Sequence, residues 1–131
     1  MPIDTEALVT YQAIGHVENE FDQPTTPEEI RSTESRIVLD PALTNGLQGL
    51  APGQRIMVIF WFHRSEGYDL RQHPRGDRTR PLRGVFALRS PNRPNPIGVS
   101  VVNLEAISGN VLRVRGLDAI NGTPVLDLKP A

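Results

Sequence analysis

The amino-acid sequence predicts a mainly β protein: a small closed β-barrel of about seven or eight strands with one short helix and long polar loops. Short β-branched or aromatic runs recur along the chain, bounded by Gly, Pro or Asp. The 12 prolines and 11 glycines among 131 residues predict many turns and few long helices. Because no helical segments alternate with the strands, the pattern argues against a doubly wound sheet. The length fits a single domain, residues 1–131.

The strands and the helix follow from local sequence signals. Ser108-Gly109-Asn110 is a three-residue connector suited to a hairpin. A short helix is predicted over Pro41–Leu50, with Asp40 as its N-cap. The polar stretches Glu20–Glu34 and Arg64–Arg83 are predicted loops. The predicted strands, in chain order, are Tyr11–Glu18, Ser35–Asp40, Gln54–His63, Gly84–Leu88, Ile97–Ile107, Val111–Leu117 and Pro124–Leu128.

The composition limits the chemistry that the chain can perform. There is no cysteine, which excludes disulfides, thiolate metal sites and cysteine nucleophiles. The histidines His16, His63 and His73 do not have the spacing of a metal site, so we expect no metal. A leader and a membrane-length apolar run are both lacking, which predicts a cytoplasmic protein without a membrane partner.

Charge is segregated although the net charge is only -1. Eight arginines and three acidic residues lie between Arg64 and Arg93, so this segment carries +5 and the remainder -6. Arginine grips phosphate or carboxylate in a fixed two-pronged geometry. The segment is therefore either an anion-binding loop or a solvated, flexible one.

The segment Arg89–Ser100 carries the most distinctive motif. Pro91, Pro94 and Pro96 fix three backbone φ angles and restrain the residues before them. A stiff turn with two arginines and two asparagines suits a preorganised polar clamp, because less entropy is lost when a ligand binds. The alternative is a tight crossing between strands.

Two further elements are weaker signals. Asn121-Gly122-Thr123-Pro124 marks a turn that exposes backbone polar groups, although plain hairpins share this pattern. His63 and Arg64 end an apolar strand that includes Trp61 and Phe62. A histidine there is either a satisfied polar residue or, if other groups converge on it, a site residue.

These elements, in this order, resemble the TsaA/TrmO-like methyltransferases over about Ile14–Pro130. The most specific matches are Gly84-Val85-Phe86-Ala87, then Arg89-Ser90-Pro91 with Arg93-Pro94-Asn95-Pro96-Ile97-Gly98, and finally Gly122–Asp127 with Lys129-Pro130. The resemblance implies a dimeric β-barrel that binds S-adenosylmethionine near the subunit interface. It also implies methylation of N6 of threonylcarbamoyladenosine beside the anticodon of tRNA.

The resemblance also implies which residues form the site. It places cofactor contacts on Pro24, Thr25, Thr26, His63, Arg64, Arg89, Val99, Ala119, Ile120, Asn121 and Gly122. We expect substrate contacts from Arg71, Arg75, Arg78, Arg80, Arg93 and Asn95, with the loop arginines on phosphates. The candidates for a general base are Asp118, Asp127 and His63.

The chain departs from the family pattern at a few positions. Thr25 and Thr26 stand where relatives have Arg and Gln, and Asn121 stands where Asp is usual. Relatives also continue beyond Ala131, many of them with a C-terminal domain. Two other functions therefore stay open: a sensor that binds S-adenosylmethionine without catalysis, and a methyltransferase acting on a small molecule.

Overall fold

Six strands form a closed antiparallel barrel in the order β1-β2-β7-β6-β3-β8, and a separate two-stranded sheet pairs β4 with β5. The computed structural model describes residues 6–131. The strand bounds are β1 Gly15–Glu18, β2 Glu34–Leu39, β3 Arg55–Trp61, β4 Arg71–Gln72, β5 Arg83–Gly84, β6 Ile97–Ser108, β7 Val111–Arg115 and β8 Pro124–Pro130. The predicted fold class is confirmed: there are eight strands in the described chain, of which six close the barrel.

The core fills the barrel because apolar residues alternate along its strands. In β3, Ile56, Val58 and Phe60 point inward and are buried, whereas Met57 and Ile59 face outward. The same two-residue period runs along β2, β6 and β7. Each strand therefore presents one face to the core and one face to the outside.

Three local predictions need correction. The predicted strand Gly84–Leu88 is wrong beyond Gly84, because residues Val85–Ala87 form a 3-10 turn closed by the bond from Leu88 N to Val85 O. The predicted loop Glu20–Glu34 contains the helix α1, Pro27–Ser32, which buries only Ile30. The hairpin connector has two residues instead of three, because Ser108 pairs with Val111.

The other boundaries shift by a few residues. The predicted helix at Pro41 is a 3-10 helix, Pro41–Leu47, and the carboxylate of Asp40 accepts a hydrogen bond from Ala42 N at its start, as predicted. The predicted first strand begins at Gly15 instead of Tyr11. The predicted loop Arg64–Arg83 contains β4 and a second short 3-10 turn at Pro74–Gly76.

The loops that matter for the site gather at one end of the barrel. In an antiparallel barrel, the ends of β1, β3 and β7 meet the starts of β2, β6 and β8. The connections from β1 to β2, from β3 to β6 and from β7 to β8 therefore lie at the same rim. Within residues 6–131, no helix has the length and apolar character to cross a membrane.

Candidate active site

A large open cleft of about 1340 Å³ lies at this rim. Its walls come from α1 and the segment before it, from the end of β3, from the long loop between β3 and β6, and from the segment before β8. The floor includes Phe60 and Phe62, whose rings meet edge to face with centroids 5.1 Å apart. The cleft is therefore apolar at its base and polar at its mouth.

Most of the predicted cofactor residues line this cleft, although they come from distant parts of the sequence. Those in the lining are Pro24, Thr25, His63, Arg64, Arg89, Ala119 and Ile120. Four others do not line it: Thr26, Val99, Asn121 and Gly122. Thr26 is instead the N-cap of α1, since its Oγ1 accepts from Glu29 N.

The cleft is strongly cationic. Arg31, Arg64, Arg71, Arg75, Arg78, Arg80, Arg83 and Arg89 line it, against three acidic residues, Glu66, Asp69 and Asp118. Two of the arginines are paired: Arg75 with Glu28 at 3.1 Å and Arg31 with Asp118 at 3.4 Å. Among residues 6–131, the side chain of Arg89 has no hydrogen-bond partner, so its guanidinium is available to an anion.

The ion pair between Glu28 of α1 and Arg75 of the long loop affects the pKa of Glu28. The pKa of Glu28 lies below its usual value, chiefly because its carboxylate accepts a hydrogen bond from its own backbone amide and, to a smaller extent, because it accepts one from Arg75. Glu28 therefore stays ionised as pH falls until its lowered pKa is reached, and the contact with Arg75 is lost below that point. At neutral pH this pair links α1 to the opposite wall of the cleft.

The proline-rich loop is tied down by its own polar groups. Nη1 of Arg93 donates to the carbonyls of Leu88 and Ser90, at 3.0 and 3.1 Å. The hydroxyl of Ser65 donates to Pro91 O, and Gln72 Nε2 donates to Asn92 O. The bonds of Arg93 thus hold the loop.

A close approach fixes the end of the loop against β3. A Cβ built on Gly98 would lie 2.6 Å from the Phe60 ring and 2.7 Å from the Phe62 ring, so only glycine fits there. Phe62 N also donates to Pro96 O at 2.7 Å. The prolines therefore position a loop that packs directly on the aromatic floor of the cleft.

The predicted substrate and catalytic residues divide between the cleft and other places. Arg71, Arg75, Arg78 and Arg80 line the cleft, whereas Arg93 and Asn95 do not. Of the base candidates, His63 and Asp118 line it. Asp127 lies outside it on β8, 3.3 Å from the ammonium of Lys129. Among the described residues, no three His, Asp or Glu side chains are grouped as metal ligands.

Sequence reasoning missed several residues of this site. Arg31 lies in α1, within the segment Glu20–Glu34 that the sequence predicts as a loop, although Thr26-Pro27-Glu28-Glu29 carries a helix-start signal. Asn19 and Asp22 bond to the segments that form the cleft walls. An asparagine after a strand reads only as a turn residue, so no sequence signal marks Asn19.

A barrel with a cationic, aromatic-floored cleft at one rim defines the class: a small domain suited to a nucleotide-sized ligand with anionic groups. Comparison with known proteins makes this specific. The chain belongs to the tRNA-methyltransferase O N-terminal domain family, whose model matches residues 15–131. Most of the described chain therefore lies within this family domain.

Relatives come from archaea, bacteria and a mammal. A protein of Methanothermobacter thermautotrophicus named "Probable S-adenosyl-L-methionine-binding protein" is 46% identical over 99 residues, covering 76% of this chain and 70% of that relative. The tRNA (adenine(37)-N6)-methyltransferase of Rattus norvegicus is 33% identical over 141 residues, covering 98% and 32%. The crystal structure of TrmO from Pseudomonas aeruginosa matches with a TM-score of 0.72 and 30% identity, covering 95% and 56%. The chain thus spans only part of the two named methyltransferases.

Proposed function

We propose that this chain binds S-adenosylmethionine in the rim cleft and transfers its methyl group to N6 of an adenosine beside the anticodon of tRNA. The observation that carries the proposal is the convergence of Arg64, Arg89, Thr25 and Ala119–Ile120, from four separate parts of the chain, on one cleft. The family membership and the names of the relatives support the same cofactor and reaction. A tRNA substrate also supports the expected cytoplasmic location.

The residues of the cleft fit this cofactor chemically. Arg89 is a partner for the cofactor carboxylate, since its guanidinium has no other partner in the described chain. Phe62 and Ile30 supply an apolar surface for the adenine, and backbone groups at Ala119–Ile120 supply hydrogen bonds. When bound, S-adenosylmethionine supplies an electrophilic methyl group on a sulfonium centre.

The chain's own residues then hold the acceptor nitrogen in line with the methyl group and accept the proton that the nitrogen loses. An exocyclic adenine nitrogen is a poor nucleophile because its lone pair is delocalised, and a threonylcarbamoyl substituent would make its N–H more acidic. His63 and Asp118 line the cleft, so either is placed to accept that proton. Asp127 is the weakest of the three candidates because it lies outside the cleft.

The loop arginines suit an RNA acceptor better than a small molecule. Arg71, Arg78 and Arg80 line the cleft, and their side chains have no hydrogen-bond partner among residues 6–131. Guanidinium groups at such positions contact phosphates, and each contact adds salt dependence to binding. Arg75 joins this set when its pair with Glu28 opens, whereas Arg93 holds the loop and Asn95 lies outside the cleft.

The position of Val99 bears on the oligomeric state. Its cross-strand partner is Ile59, on the outer face of the barrel, so Val99 faces away from the cleft of its own subunit. The neighbouring pairs are Met57 with Val101 and Trp61 with Ile97, and these six residues form an outer apolar face. We therefore propose that Val99 contacts the cofactor bound by a second copy, in a homodimer.

The contrast between the barrel's two sides supports this dimer. The outer side of β1, β2 and β7 carries ion pairs of Glu18 with Arg36 and of Glu34 with Arg113. The outer apolar face has no charged side chain among its six members, and the ion pair of Asp127 with Lys129 on β8 borders it, beside Ile59 and Met57. The face reaches the cleft, since the rings of Trp61 and His63 are 6.1 Å apart. An uncharged face is complementary to its own copy, and a partner there would adjoin the cleft.

Radiolabel transfer tests the proposed reaction and its rivals together. The protein is incubated with methyl-labelled S-adenosylmethionine and tRNA from normal cells or from cells deficient in threonylcarbamoyl modification. We expect label in normal tRNA only. Cofactor binding with no labelled tRNA would favour the sensor or a small-molecule acceptor, and equal labelling of both pools would reject threonylcarbamoyladenosine as the acceptor.

A further inference from the structure

Two of the three buried polar side chains in the described core bond directly to the segment Asp118–Gly122. The three are Ser35, Ser100 and Thr123. Ser100 Oγ accepts from Asp118 N at 3.3 Å, and Thr123 Oγ1 donates to Ile120 O at 2.8 Å. Buried hydrogen bonds fix geometry because an unmade one is costly. Ser100 and Thr123 therefore hold this segment directly.

Asn19 connects the third of these groups to the same segment. Its Nδ2 donates to Ala119 O at 2.8 Å and to Ser35 Oγ at 3.1 Å, and its Oδ1 accepts from Phe21 N at 3.0 Å. Its backbone N donates to Asn121 Oδ1 at 3.1 Å. Both donors of the amide and its acceptor are thus in use, so the half-buried side chain has one well-defined orientation.

Asn121 completes the connection from the other side. Its backbone N donates to Phe21 O at 2.7 Å, and its Nδ2 donates to Asp22 Oδ1 at 3.2 Å. Asp22 in turn accepts at its backbone carbonyl from Arg64 Nη1, at 2.8 Å. Residues 19–22 therefore join the segment before β8 to the arginine at the end of β3, across the cleft rim.

We infer that Asn19 and Asn121 are positioning residues. They hold the Ala119–Gly122 segment directly, and they hold Arg64 through Asp22, in a binding geometry before the cofactor arrives. The inference rests on the proposed function, because it names what sets the geometry of that same site. Groups held in place before binding lose less entropy on binding, so the bonds raise cofactor affinity without touching the cofactor.

Isosteric substitutions separate this role from simple packing. Asn121→Asp keeps the acceptor for Asn19 N but replaces the donor to Asp22 with a second carboxylate, which repels it. Adding Asp22→Asn restores one donor and one acceptor with their positions exchanged. Asp22→Asn alone keeps an acceptor for Asn121, and its backbone bond to Arg64 is unchanged. Asn45→Asp, at an exposed position in the 3-10 helix after β2, is the matched control.

Calorimetric titration of the full chain with S-adenosylmethionine measures the effect, with thermal melting as the folding readout. We expect Asn121→Asp to weaken binding about tenfold, the cost of a lost hydrogen bond plus a repulsive contact. The Asp22→Asn/Asn121→Asp pair should recover to within about twofold of wild type, as should Asp22→Asn and Asn45→Asp alone. Asn19→Asp, which removes both donors, should weaken binding by at least as much as Asn121→Asp.

Two outcomes would overturn the inference while leaving the proposed function standing. One is wild-type affinity in a folded Asn121→Asp variant, whether or not its melting temperature falls. The other is a double variant no better than Asn121→Asp, which would mean that the contact with Asp22 is not the cause. Failure of the wild-type protein to bind S-adenosylmethionine would instead reject the proposed function itself.

Discussion

Removing the guanidinium of Arg89 is the sharpest test of a single cofactor contact. Arg89 lines the cleft at the start of the proline-stiffened loop, and no described side chain or carbonyl competes for it. A hydrogen bond to a charged group contributes about 1.5–3 kcal/mol. Because about 1.4 kcal/mol is tenfold in affinity, Arg89→Ala should weaken S-adenosylmethionine binding roughly ten- to hundredfold in calorimetry.

Two other variants show whether the loss is specific. Arg89→Lys keeps the charge but not the planar fork, so its affinity should fall between wild type and Arg89→Ala. Arg55→Ala removes an exposed arginine at the far end of β3 and should leave binding unchanged. Wild-type affinity in a folded Arg89→Ala protein, or equal loss in Arg55→Ala, would refute the assigned contact.

Three further predictions concern the floor, the ion pair and the outer apolar face. Gly98→Ala should destabilise the fold by about 1–3 kcal/mol in thermal melting, because its Cβ would lie 2.6 Å from the Phe60 ring and 2.7 Å from the Phe62 ring, and an unchanged melting temperature would contradict the close approach. Glu28→Gln should free Arg75 for RNA and steepen the salt dependence of tRNA binding by about 0.7 in the log–log slope, one added phosphate contact; an unchanged slope would exclude Arg75 from the RNA contacts. Val101→Glu should convert the proposed homodimer to monomer in light scattering, and a persistent dimer would place the interface elsewhere.

The barrel itself could be predicted because its signals are local. Ile56, Val58 and Phe60 alternate with outward residues, and this period survives in the folded chain. The run Gly84–Leu88 carried similar residues but forms a turn. Strand formation needs a neighbouring strand, and the pairing of β5 with β4 ends at Gly84. Propensity alone could not reveal that a partner was missing.

The site was predictable in part for a similar reason. The segment around Arg89 could be recognised as a candidate site from the type and spacing of its prolines and arginines. The contribution of Asn19 depends on contacts with Ala119 and Asn121, about one hundred residues away in sequence. Likewise, nothing in the sequence shows that Val99 faces outward. Long-range pairing decides both points.

The most direct test of the central claim is a crystal structure of this protein grown with S-adenosylmethionine. The proposed binding mode predicts the cofactor in the rim cleft, with its carboxylate at Arg89, its adenine near Phe62 and Ala119–Ile120, and Val99 of the partner subunit beside it. Cofactor bound anywhere outside the cleft would contradict the claim. So would an empty cleft in crystals grown with a saturating concentration of S-adenosylmethionine.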